Sequence, residues 1–196
     1  MSAEPSVVTI VLLVGPQASG KSTLASALGE ELRRRGELVA VVELDQIAAM
    51  ALPTLPGWDN AAHIFGLVAG QWARTDLTCV IAEGIASQEE VSNFLAHVPT
   101  AAALITIAVT TTFEAAWVRA QADPSRGTSR DHRFLRERYE WWSNEMARID
   151  SDLLLDTSEV SVAQGVRLIV GAIGSAPLVV WLIAQRLGLG GPLPAP

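Results

Sequence analysis

Gly15-Pro16-Gln17-Ala18-Ser19-Gly20-Lys21-Ser22 is the stretch on which the fold turns. It satisfies the pattern G-x-x-x-x-G-K-[ST] at every fixed position. Ahead of it, residues 7–14 form a continuous apolar run that reads as a buried strand. Behind it, residues 21–35 place Leu24, Leu28 and Leu32 at helical spacing and end on three arginines and Gly36, which suits a helix C-terminus. Strand, glycine loop and helix form the context in which this pattern cradles phosphate. Gly15 and Gly20 allow backbone N–H groups to converge on phosphate oxygens, and the helix N-terminus adds partial positive charge. Pro16, Gln17, Ala18 and Ser19 supply the intervening backbone, and Thr23 follows on the first helical turn. The Lys21 ammonium can reach a β- or γ-phosphate, and the Ser22 hydroxyl can join a Mg²⁺ shell. A shuffled chain of this composition would show the pattern on the order of once in a thousand.

Lys21 is the one lysine among fourteen basic residues. Guanine-reading phosphate-loop proteins use an Asn-Lys-x-Asp element, which needs a second lysine, so a regulatory GTPase is not expected. With 196 residues the chain fits one domain, and 49% hydrophobic residues exclude a disordered one. The net charge of −7 argues against a nucleic-acid partner. The lone Cys79 sits in an apolar run and reads as a buried, inert thiol. The first residues lack a basic leader, and no apolar run is long enough to span a bilayer, so a cytoplasmic protein is expected.

The alternation continues outward from the loop. Strands are expected at 38–44, 77–82, 104–109 and 152–155, and helices at 60–75, 88–97, 112–121, 131–149 and 160–173. Continuously apolar strands separated by helices indicate an α/β fold with a parallel sheet covered on both faces. A kinase-like domain over 1–173 is expected, with a lid at about 120–131 where Pro124 and Gly127 break the helical pattern. The tail, 174–196, holds an apolar stretch at 178–183 that suits a packed helix or a homodimer contact, then a loose end at 192–196.

Two acids close strands where an open parallel sheet binds ligands. Asp45 follows the second strand and can accept a proton from a substrate hydroxyl or orient it; it can also cap a short helix over 46–50. Glu83 follows the third strand, where an acid can hold Mg²⁺ through water or contact substrate; the alternative is an exposed loop acid. Six arginines fall between 119 and 138. Arg126 and Arg130 flank the break and can stabilise charge on a transferred phosphoryl group. Arg119 is a candidate to stack on adenine. Arg133–Glu137 and Arg136–Glu140 have the spacing of solvated helical ion pairs.

Together these residues resemble the phosphate-loop small-molecule kinases, a group that includes shikimate and gluconate kinases, chloramphenicol 3-O-phosphotransferase and zeta-toxin-like kinases. The resemblance covers about residues 7–173. Val42-Glu43-Leu44-Asp45 resembles the segment in which such a kinase carries its base, and Leu155-Asp156-Thr157 resembles the last strand and the loop bordering adenine. It implies a three-layer fold with a five-stranded sheet of order 2-3-1-4-5, ATP and Mg²⁺ as cofactors, and transfer of the γ-phosphoryl group to a small-molecule hydroxyl. Glu83-Gly84 replaces the glycine triplet of shikimate kinases, and Glu43/Asp45 replaces their aspartate pair, so shikimate is not the expected acceptor.

The acceptor wall is expected from 45–75 and 84–95. It offers Met50, Leu52, Leu55, Trp58, Phe65 and Trp72, with Asp59, His63 and Gln71 as polar handles. Apolar walls with few polar groups suit an antibiotic or another natural-product alcohol. Phe65 and Trp72, seven apart, are alternatively ordinary core. One tryptophan of the pair Trp141-Trp142 is expected in the core. The rival reading is a zeta-toxin-like or regulatory nucleotide-binding module whose acceptor is a nucleotide sugar or nothing. A nucleotide kinase would need basic residues for a second phosphate, and residues 46–73 contain none.

Overall fold

A computed structural model describes residues 7–54 and 57–186, with side chains as far as Gly174. Five strands form one parallel sheet: β1 (Thr9–Val14), β2 (Val39–Glu43), β3 (Cys79–Glu83), β4 (Ala103–Thr110) and β5 (Leu153–Asp156). Their order is β2-β3-β1-β4-β5, as the resemblance implied. Register aligns Leu13 and Glu43 with Glu83, so three strand ends meet at one edge.

Successive strand residues point to opposite faces, and both faces are covered. Ile10, Leu12 and Val14 of β1 pack with Phe65, Phe94 and Trp142 on one side. Val11 and Leu13 pack with Leu24, Leu28 and Ile169 on the other. On the first face lie α2 (Leu44–Ala49), α3 (Trp58–Trp72), α4 (Gln88–Leu95) and α6 (His132–Glu145). On the second lie α1 (Lys21–Arg34) and α7 (Val162–Arg186). α5 (Phe113–Ala122) leads into a 3₁₀ segment, Pro124–Arg130, that occupies the expected lid. Cys79 is buried, and loss of water around it pushes its thiol up to about 12.

Local chemistry sets most boundaries. α1 stops where Gly36 takes φ 91° and its N–H donates to the Arg33 carbonyl. Thr112, expected inside α5, is instead its N-cap, with its hydroxyl accepting from Ala115 N–H. Asp131 caps α6 in the same way through Phe134 N–H. Ser161 and Gln164 hydrogen-bond reciprocally at the start of α7, which moves that start from 160 to 162.

Three expectations change. The last helix does not end at 173; it runs to Arg186, because Gly174 lies inside the helix rather than ending it. The expected contact of 178–183 concerns side chains outside the described residues, as do the end at 192–196 and Leu55. Trp72 does not pack inward: it is 47% exposed, whereas Phe65 is fully buried. Seven residues fall only about 20° short of two full turns, so both lie on nearly the same side of α3, and what separates them is that Trp72 stands in its last turn. Arg136 does not pair with Glu140; it stacks 4.3 Å over the Phe113 ring. Arg133 and Glu137 do pair, at 2.8 Å. Of the tryptophan pair, Trp142 is buried and Trp141 carries Arg138 over its ring. Among the described residues no helix is long and apolar enough to cross a membrane.

Candidate active site

The loop between β1 and α1 is held from several sides. Gly15 N–H donates to the Ile85 carbonyl at 3.1 Å, tying it to the segment after β3. A Cβ on Gly15 would come within 2.1 Å of the Val109 carbonyl oxygen, so only glycine lets the loop pass β4. Ala18 takes a left-handed φ of 59° and is buried against Ala116, Ala120, Leu135 and Tyr139. The Tyr139 hydroxyl donates to the Gln17 carbonyl at 3.1 Å. Thr157 Oγ1 donates to the Ser19 carbonyl at 2.7 Å. Pro16 and Ser19 are buried, and the Ser19 hydroxyl has no partner. Gly20 gives α1 no side-chain cap, so the first N–H groups of the helix are available to a ligand.

Lys21 Nζ folds back over this loop and donates to the Gly15 carbonyl at 2.8 Å and the Pro16 carbonyl at 3.0 Å. Burial lowers its pKa, while Glu83, Asp45 and Glu90 oppose the shift. Ser22 Oγ donates to Glu83 Oε1 at 2.8 Å. Glu83 is 2% exposed, so it is not an exposed loop acid. Burial raises its pKa, against the pull of Lys21 and Ser22. Gly84, at φ 128°, lies where a Cβ would come within 2.5 Å of Leu44 Cβ. A buried acid hydrogen-bonded to the helix hydroxyl is a hard oxygen pair of the kind Mg²⁺ takes. No cluster of three or more His, Cys, Asp or Glu ligands occurs among the described residues.

Asp45 is exposed in the first turn of α2. It caps nothing: Glu43 is the N-cap residue of that helix. Asp45 stands two residues past Glu43, which register sets beside Glu83, so the two strand-end acids lie at one edge of the sheet.

The arginines at and near the 3₁₀ segment divide. Arg126 acts electrostatically on Lys21 and pairs with Asp123 at 3.3 Å, and its Nε is buried without an aligned hydrogen bond. Arg130 is exposed at the end of the lid. Arg119 is fixed beside the loop: Nη1 donates to Thr157 Oγ1 at 2.7 Å and Nη2 to the Thr157 carbonyl at 2.9 Å. This joins the two residues expected to border adenine. Thr23 is exposed on the first turn of α1.

The expected acceptor wall is open. Met50 is 81% exposed and Trp58 56%, and Leu52 is exposed as well. His63 does not point toward Lys21; its ring meets that of His97 edge-on at 4.8 Å, between α3 and α4. Gly66, where a Cβ would come within 3.0 Å of His97 Nδ1, makes room for that ring.

Sequence reasoning missed Tyr139, which carries no motif. It also missed the carboxylates that hold the start of α4. Glu90 accepts from Ser87 N–H at 2.9 Å, and Glu145 accepts from Gln88 N–H at 2.9 Å. The first was findable, since Ser87-Gln88-Glu89-Glu90 is a capping-box sequence.

Comparisons place this geometry among known folds. A family model described as an AAA domain matches residues 10–149. No curated protein sequence matches the chain. Shikimate kinase from Acinetobacter baumannii, solved with shikimate, superposes with a TM-score of 0.61 at 17% identity, over 87% of this chain and 95% of that one. Shikimate kinase from Bacteroides thetaiotaomicron gives 0.62 at 10% identity, over 85% and 98%. APS kinase from Mycobacterium tuberculosis, a cysteine-to-alanine mutant, gives 0.57 at 14% identity, over 87% and 100%. At such identities the likeness is one of fold. With the phosphate loop, the strand order and a family match over residues 10–149, the chain belongs to the AAA-domain family of phosphate-loop proteins.

Proposed function

We propose that the chain is an ATP- and Mg²⁺-dependent kinase that moves the γ-phosphoryl group to a hydroxyl of a small molecule. The carrying observation is the placing of Asp45 two residues past the end of β2, where register sets Glu43 beside Glu83 and Glu83 accepts from the Ser22 hydroxyl. A carboxylate there can accept the proton of an alcohol whose oxygen attacks the phosphoryl group. Bound Mg²⁺·ATP would supply the transferable phosphoryl group and a cation to offset its charge. The chain does the rest by positioning. The uncapped start of α1 and the loop N–H groups would bind phosphate, and Lys21 would exchange its carbonyl partners for phosphate oxygens. Ser22 and Glu83 hold the metal side. Arg126 and Arg130, on the segment between α5 and α6, would serve the phosphate side. Arg119 and Thr157 border the base.

The acceptor class favoured by the open apolar wall is an antibiotic or another natural-product alcohol. The kinase-like neighbours support the reaction class and leave the acceptor open. The test is a mass-spectrometric screen for ATP-dependent gain of a phosphoryl group across alcohols, followed by Asp45→Ala. Loss of transfer by about 10²-fold or more with ATP binding retained is expected. Full activity in Asp45→Ala would remove the base assignment. Slow ATP hydrolysis with no phosphorylated alcohol would favour the rival regulatory or toxin-like module.

A further inference from the structure

We infer that a cavity between the start of α5 and the second half of α6 is a binding site for a small zwitterion, separate from the proposed ATP and acceptor sites. The cavity measures about 280 Å³, close to the smallest ligand pockets, which begin at about 300 Å³. It lies where β4 ends: Thr110, Thr111 and Phe113 line one side, and α6 lines the other. None of the residues around it binds ATP, Mg²⁺ or acceptor in the proposed function. Burial sorts them. Thr111, Tyr139 and Trp142 are buried, whereas Arg136, Glu140 and Ser143 are exposed and so form the mouth.

The first observation pointing to a ligand is an unsatisfied hydroxyl. Thr111 is 5% exposed, and its Oγ1 is buried with no hydrogen-bond partner. The polar groups around it are already used. Thr110 Oγ1 accepts from Trp142 Nε1 at 3.3 Å, and Ser143 Oγ donates to the Tyr139 carbonyl at 3.0 Å. The Tyr139 hydroxyl is spent on the Gln17 carbonyl. Buried polar groups are normally paired, so Thr111 leaves one donor and acceptor at this wall for an occupant.

The second observation is a pair of charges that do not meet. Arg136 and Glu140 both line the cavity, one turn apart on α6, or about 5.4 Å along its axis. That spacing forms ion pairs on helices. Here the guanidinium lies 4.3 Å over the Phe113 ring instead, and no hydrogen bond or ion pair among the described residues holds the Glu140 carboxylate. One free cation and one free anion at a single mouth complement a ligand that carries both signs. A lone anion would meet Arg136 beside an unpaired Glu140, and a lone cation would meet the reverse. Phe113 opens α5, whose first turn adds partial positive charge beside Arg136. The carboxylate of the ligand therefore belongs at Arg136 and its ammonium at Glu140. Phe113 and Trp142 offer aromatic surface to its body. An α- or β-amino acid with an apolar side chain has this chemistry.

The experiment is isothermal titration of the full chain with apolar α- and β-amino acids, their N-acetyl and methyl-ester forms, and plain carboxylates and amines of the same size. The expected result is saturable binding of the zwitterions, about tenfold tighter than either single-charge form, and weaker as salt rises from about 0.05 to about 0.5 M. Arg136→Gln and Glu140→Gln should each weaken it about tenfold. Thr111→Val, which keeps the shape, should weaken it about threefold and leave the thermal midpoint of the free chain unlowered, because the hydroxyl it removes has no partner there. Binding should persist in saturating Mg²⁺·ADP. Tightest binding by a single-charge form, binding indifferent to all three substitutions, displacement by Mg²⁺·ADP, or no saturable binding by any member of the set each overturns the inference. Every readout is taken without turnover, so these outcomes leave the kinase reading untouched.

Discussion

At the phosphate end of the cleft, side chains are tied to backbone. Lys21 bridges two loop carbonyls, Tyr139 holds a third, and Thr157 holds a fourth. At the acceptor end, Met50 and Trp58 are more than half exposed. One end presents fixed donors to a ligand of constant shape. The other presents surface that ligand binding can cover. Under the proposed function the first end meets a triphosphate of constant geometry, whereas the acceptor would meet few and loosely held side chains. Substitutions should therefore act differently at the two ends: on the chemical step and the fold near the loop, on acceptor KM near α3.

The sharpest way to break this contrast is Lys21→Arg. A guanidinium fork is broader than an ammonium and cannot make the same two close contacts with the Gly15 and Pro16 carbonyls. Phosphotransfer should fall by about 10²–10³-fold, measured as kcat with saturating ATP. Near-normal turnover would show that the loop tolerates shape change and would dissolve the distinction.

Next in size is a stability comparison within α3. Phe65 is fully buried between the sheet and Phe94, so Phe65→Ala should destabilise by about 3–5 kcal/mol in denaturant titrations. Trp72→Ala, at an exposed site, should change stability by about 0.5 kcal/mol or less. Equal losses would mean that the outer face of α3 is packed after all.

A smaller effect separates the strand-end acids. Burial holds the Glu83 pKa above its ordinary 4.5, so the folded chain keeps this proton to higher pH than the unfolded chain does. Below the ordinary range both states are protonated and Glu83 adds no pH dependence. Above it the folded state carries the burden of a buried charge, and stability declines as pH rises toward the raised pKa. Glu83→Gln removes that decline. Relative to the parent, the variant should gain stability as pH goes from about 5 to about 8, while its Mg²⁺·ATP affinity drops. An unchanged difference across that range would refute the buried-charge account.

The smallest expected effect tests the loop's rear support. Tyr139→Phe removes one hydrogen bond to the Gln17 carbonyl and should lower stability by about 1 kcal/mol. Trp58→Ala should leave stability within about 0.5 kcal/mol and raise acceptor KM. A reversal of these two outcomes would exchange the roles given to the ends.

What could be read from the sequence follows the same division. The phosphate loop is legible because its glycines, lysine and hydroxyl are each dictated by local backbone and charge. The sheet is legible because runs such as residues 7–14 bury both faces. Glu83 and Asp45 could be placed because a strand end fixes position along the sheet. Trp72 was not legible: helical spacing sets it within about 20° of Phe65, but how far cover extends along α3 depends on other elements, and Trp72 stands in the last turn. The Arg136–Phe113 stack was hidden for a related reason. Spacing names a partner four residues away, while the ring comes from another helix. Tyr139 lies more than a hundred residues from Gln17, and no local rule links them.

The four variable positions of the motif are not equally free in this protein. Ala18 sits in the left-handed region with its methyl group buried by α5 and α6, and Gln17 and Ser19 give their carbonyls to Tyr139 and Thr157. A β-branched residue at Ala18 would meet both a torsional and a spatial barrier. For protein engineering, the portable unit is therefore larger than the eight-residue loop. A transplant meant to keep its shape has to bring α5, α6 and the turn after β5 with it.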